Sequence, residues 1–183
     1  MTDVLIGNGT PIILADTTDH APTAGSTLGG TRTDQIDLTS LAAGAYRQSA
    51  KVDFGLTRAR EWICRAAFEP ASAPAAGGAV EVFVGFSDSA TAADSNPGNL
   101  SGSDGAYNGY GAASTDADEC IGQLVRIGQV VASADADIMV GEVGIFVPAL
   151  RYGSIVVRNG LSVAFLGDAV EMSIHLIPIQ DQF

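Results

Sequence analysis

Basic residues are scarce in this chain. Its 9 Lys and Arg residues, of which only Lys51 is a lysine, face 21 acidic ones, for a formal net charge of −12 at pH 7. That balance excludes a general phosphate-neutralising surface and, with it, non-specific nucleic-acid binding. Charged residues make up 16% of the chain and hydrophobic ones 46%. Even so, no apolar run approaches the roughly 18 residues of a membrane span. The opening MTDVLIGNGTP has neither the basic flank nor the apolar stretch of a signal peptide, so cytoplasmic synthesis and no membrane partner are expected.

The residues of site chemistry are equally sparse. Two cysteines, Cys64 and Cys120, have no CxxC spacing and make no disulfide framework. Two histidines, His20 and His175, offer no HxH pair for a metal. There is no P-loop, no GxGxxG and no GxSxG elbow. No metal or other cofactor is indicated. The sequons at Asn8 and Asn99 carry no weight without a secretory signal.

What the sequence does have is a period of two. Strands are predicted at Val4–Leu5, Pro11–Ala15, Gln35–Thr39, Arg47–Phe54, Glu61–Phe68, Ala79–Phe86, Gly122–Ala132, Ile138–Pro148, Gly153–Arg158, Ser162–Leu166 and Val170–Ile179. Gly, Pro, Asn and Asp clusters separate them, and no long amphipathic helix competes. The fold class is therefore all-β, an antiparallel sandwich within one domain spanning 1–183. Alternation in EWICRAAF puts Trp62, Cys64, Ala66 and Phe68 on one face, which makes Cys64 a buried, inert thiol. Asn159-Gly160 tolerates positive φ and predicts a tight hairpin, with an antiparallel meander through the last third.

Three segments are apolar on both faces: IIL at 12–14, IFV at 145–147 and IVV at 155–157. A two-sheet sandwich covers one face of each sheet. The second face therefore calls for a subunit contact.

Between two strands lies a long Gly/Ser/Asp-rich stretch, 87–118, whose only aliphatic residue larger than alanine is Leu100. Loops of that length are functional or mobile. Tyr107 and Tyr110 are placed to anchor part of it against the body. Its acids, with Asp94-Ser95-Asn96 the nearest approach to a ligand pattern, lack the close spacing and distal Glu of a calcium loop. Solvated turns are the better reading.

The remaining constellation is Glu171, Ser173 and His175 in VEMSIHLIPI. Alternation places all three on one strand face, but neighbours at i and i+2 stand roughly 6.5–7 Å apart with parallel side chains. A triad needs hydroxyl-to-imidazole contact. These residues read instead as a polar strand face at a surface or subunit contact. Arg47, with Arg58 and Arg60, is too isolated for a basic patch and is expected to pair with acids or with carbonyls at an interface.

IGNGTPIILADTTDHAPT, RTDQIDLTSLAAGAYRQSAKVDFG, FSDSATAADSNPGNLSGSDGAY, VPALRYGSIVVRN and GDAVEMSIHLIPI, in this order, cover most of the chain. Together they resemble a family of small structural proteins of tailed-bacteriophage virions. The resemblance carries no catalytic residues. It implies a jelly-roll-like sandwich that decorates the capsid or sits at the head–tail junction. A homo-oligomer, with a trimer favoured, would contact the major capsid protein or other virion proteins. The alternatives are a tail or connector component and a carbohydrate-binding sandwich with Tyr107 and Tyr110 as its platform. Interface candidates are Tyr107, Tyr110, Arg47, Arg151, Glu171, Ser173 and His175.

Overall fold

The computed structural model describes residues 5–21, 28–56, 59–111 and 114–182. Arg58 and the predicted strand residue Val4 lie outside them. The strands are β1 (Leu5–Asn8), β2 (Ile12–Ala15), β3 (Asp34–Gln35), β4 (Tyr46–Gln48), β5 (Val52–Asp53), β6 (Glu61–Phe68), β7 (Ala79–Ser87), β8 (Gly105–Ala106), β9 (Val125–Val131), β10 (Met139–Phe146), β11 (Tyr152–Gly160) and β12 (Ser173–Gln182). One short helix, α1 (Ser114–Cys120), stands between β8 and β9. No helix among the described residues is long and apolar enough to cross a membrane.

The strands form two sheets. One runs β10-β6-β12-β2-β3, with β1 also on β12; the other runs β8-β4-β11-β7-β9, with β5 also on β11. Every pairing is antiparallel except the short β2–β3 ladder. The eight principal strands, β10-β6-β12-β2 opposite β4-β11-β7-β9, have the order of a jelly roll. From β9 onward successive strands change sheet each time, so the last third is no meander.

The core lies between the sheets. Trp62, Cys64, Ala66 and Phe68 of β6 all point into it, as alternation requires. They meet Val80, Val82 and Val84 of β7, Ile155 and Val157 of β11, and Ile174 and Leu176 of β12. One end is closed by Phe54, Trp62, Phe86 and Phe146, with Phe54 edge-on to Trp62 at 5.3 Å between centroids. The other end holds the Phe68–Phe165 stack at 5.6 Å. Burial alone pushes the Cys64 thiol well above its ordinary pKa, so it stays an unreactive thiol.

Several predicted boundaries fail for identifiable reasons. Asn159-Gly160 makes no hairpin; both residues belong to β11, paired with Val80 and Ala79. Asn159 is fully buried. Its side chain donates to the carbonyls of Leu41 and Val163 and accepts from the Leu161 amide, so it stitches a crossing rather than a turn. Ser162–Leu166 contributes only a bridge between Phe165 and Pro70. Predicted strand Arg47–Phe54 is two pieces, β4 and β5. Predicted strand Gln35–Thr39 shrinks to β3. Predicted strand Gly122–Ala132 begins at Val125, after a 3-10 turn at Ile121–Gln123.

Outer strands β9 and β10 belong to different sheets but touch along their backbones. A Cβ at Gly128 would lie 1.9 Å from the Val143 carbonyl oxygen, and one at Gly144 would lie 2.5 Å from that of Ile127. These two glycines let the sandwich close on that side. We predict that Gly128→Ala lowers stability by about 2–3 kcal/mol. Gly122→Ala, where a Cβ meets nothing within 4 Å, should change it by less than about 0.5 kcal/mol. Urea melts of the two variants check this.

Candidate assembly surface

Each sheet has an outer face, and the three doubly apolar segments show how those faces are treated. Val156 of the IVV segment points outward from its sheet, yet it is fully buried. It lies in a second hydrophobic cluster with Tyr46, Phe83, Leu100, Tyr107, Ala117, Cys120 and Leu124. The long polar stretch thus folds back as a lid over its own sheet. Gly85 makes this possible, because a Cβ there would stand 2.3 Å from Leu100 Cδ1. Tyr107 is 1% exposed and donates its hydroxyl to the Gly98 carbonyl at 2.8 Å; burial pushes its pKa up to about 12.

Polar contacts fix the rest of the lid. Lys51 Nζ lies 3.0 Å from Ser87 Oγ and 3.1, 2.7 and 2.9 Å from the carbonyl oxygens of Ser89, Thr91 and Asp94. Gln48 accepts from the Ser101 amide and donates to the Ala106 carbonyl. Arg47 forks onto Asp104, its Nε 2.9 Å from Oδ1, with Asp37 also close. Tyr46 donates to the Asp118 carboxylate under the Arg158 guanidinium, which in turn bonds Glu81 at 2.8 Å. The lid therefore has structure. What its composition hid is that its partners, Tyr46, Arg47, Gln48 and Lys51, lie far away in sequence.

The outer face of the other sheet is half covered. Ile13 of the IIL segment is 4% exposed, and Gly30 lies so close over it that a Cβ would stand 2.4 Å from Ile13 Cδ1. The covering segment starts at Asp16. Burial opposes ionisation of that carboxyl, but bonds from the Thr18 amide and hydroxyl, the Asp19 amide and Gln35 outweigh it and hold the pKa near 2. Under this cover lie Ser173 and His175, both buried. Their Oγ and Nε2 atoms have no hydrogen-bond partner, so no Ser–His contact exists. Glu171 precedes β12, next to Glu69, whose carboxyl is held above its usual range by burial and by Glu171.

The IFV segment is the exception. Ile145 is 54% and Val147 61% exposed. Cross-strand register aligns Ile145 of β10 with Ile63 of β6, and Ile63 with Ile177 of β12, in one outward row. Beside it runs Glu142–Arg65–His175, and then Val140–Ala67–Ser173 with Val140 exposed. At the end of the row, the Phe54 amide bonds the Arg151 carbonyl at 2.8 Å. This joins the loops that carry exposed Leu56, Val147 and Leu150. Arg151 itself forks onto Asp53 at 2.9 and 2.7 Å and lies over Tyr152.

The residues singled out from the sequence therefore separate. Tyr107, Ser173 and His175 are interior. Arg47 and Arg151 hold carboxylates of their own chain. Tyr110 is 69% exposed but has lost its buried neighbour Tyr107 as a surface partner. The aliphatic row was signalled only by the two-sided IFV pattern. Among the described residues no three His, Cys, Asp or Glu side chains converge to hold a metal. Comparison with known proteins identifies no relative: no family model matches the chain, and no curated protein matches it.

His175 makes a pH prediction. Burial, then His20 and Arg65, depress its pKa from 6.5 to about 4. The folded state keeps the imidazole neutral while the unfolded chain protonates below 6.5. The protein should therefore lose about 3 kcal/mol as pH falls from 6.5 through 4, and little more from this group below that. His175→Leu should flatten the slope in that window, read from urea midpoints against pH.

Proposed function

We propose that the protein is a non-enzymatic structural component of a tailed-bacteriophage virion, and within it a capsid decoration protein that cements the head through homo-oligomeric contacts. One observation carries this reading: the outward row Ile145–Ile63–Ile177, exposed at Ile145 and followed along the chain by exposed Val147 and Leu150, beside outer faces that the chain itself covers at Val156 and Ile13. An apolar strip left exposed beside outer faces that the chain covers at Val156 and Ile13 serves contact with another protein surface. The jelly-roll order, which capsid domains commonly use, and the resemblance to small virion proteins favour the same reading.

The mechanism is area burial repeated by symmetry. A standard contact removes roughly 1,600 Å² from water. Many copies on a lattice convert modest single contacts into lasting attachment. A trimer is the favoured assembly, with the major capsid protein as the outer partner and the virion as the location.

The test is light scattering after size exclusion, followed by co-sedimentation with heads that lack the protein. The expected result is a stable oligomer that binds heads, with both properties lost in Ile145→Glu and the thermal midpoint kept within a few degrees. A monomer that ignores heads at every concentration would overturn the proposal. Binding to tails or connectors alone would move it to the alternative position. Glycan binding lost in Tyr110→Ala would replace it with the carbohydrate-binding reading.

A further inference from the structure

The first turn of the lid over the Val156 sheet, Ser87–Asp94, is organised around one amine. Ser87 Oγ and the carbonyls of Ser89, Thr91 and Asp94 converge on a point 2.7–3.1 Å away, and Lys51 Nζ occupies it. The turn is closed on itself as well: Ser87 Oγ accepts from the Ser89 amide and contacts the Asp94 carbonyl at 3.0 Å. Lys51 also fixes the lid through its backbone, its amide donating to the Gly102 carbonyl at 2.9 Å. Oxygens supplied from alternate positions of a tight turn are the donor pattern of a cation site. Calcium, however, takes oxygens at 2.3–2.6 Å and magnesium at 2.0–2.1 Å, and this ring is wider. It has the radius of hydrogen bonds from an ammonium group.

We propose that the Ser87–Asp94 turn is a binding cradle for a primary ammonium, filled in cis by Lys51, and that this first turn of the lid is locked only while that cation is in place. Without it three carbonyl dipoles point at one another, and the turn keeps only the Asn96 side-chain amide, which donates to the Ala92 and Leu100 carbonyls, to link it to the rest of the lid. Asp88 and Asp94 add negative charge around the same point. The cradle's ligand class is thus a small alkylammonium ion. The inference stands apart from the virion reading, because it concerns the chain's internal order alone.

The test exploits Lys51 being the chain's only lysine. In Lys51→Ala, an Asp/Glu-specific protease should cut at Asp88 and Asp94 roughly tenfold faster than in the unaltered protein. Methylammonium chloride should slow that cleavage, while tetramethylammonium chloride at equal ionic strength should not. Lys51→Met, which keeps the stem but not the charge, should be cut as fast and resist rescue. If the alanine variant fails to fold, acetylating Lys51 in the folded native protein gives the same readout, with faster cleavage at Asp88 and Asp94 expected. A turn that stays protected after acetylation or in Lys51→Ala, or equal protection by both salts, would overturn the proposal.

Discussion

A strongly apolar sheet has two faces, and packing it against a second sheet hides only one. Everything distinctive about this molecule follows from how its remaining faces are treated. The face that carries Val156 is closed by the chain's longest insertion, through Leu100, Tyr107 and Leu124. The face that carries Ile13 is covered there by Gly30. The end of that same face at Ile63, Ile145 and Ile177 is left open.

The covers are fastened by polar groups that composition alone would assign to solubility. Arg47 holds Asp104, Lys51 holds a ring of oxygens, Tyr46 holds Asp118, and Asp16 gathers two amides, a hydroxyl and a carboxamide. Each joins residues far apart in the chain or pins a covering segment to a strand. With so few cations, committing Arg47, Lys51, Arg151 and Arg158 to internal partners leaves most of the acidic surface unbalanced.

Much of the sandwich could be read from period-two alternation. The inward set of β6 is as alternation places it, and so is the pair Ile174 and Leu176. What could not be read were the crossings. Asn159-Gly160 has the local chemistry of a type I′ turn. It is drawn straight instead, because β7 runs alongside it to its last residue and Asn159 finds three backbone partners in the core. Glu171, Ser173 and His175 shared a face on paper, and Ser173 and His175 do share one, but a segment more than a hundred residues earlier roofs them over. The open row was legible only as a surplus of apolar faces, without any sign of which face would stay uncovered.

The sequence by itself determined the strands, their inward residues and the presence of more apolar surface than two sheets can hide, because alternation and side-chain hydrophobicity are local. Only the tertiary structure decided which strands became neighbours and which outer faces were covered. That depends on where distant loops dock, through contacts as specific as a glycine under a leucine and one lysine under four oxygens.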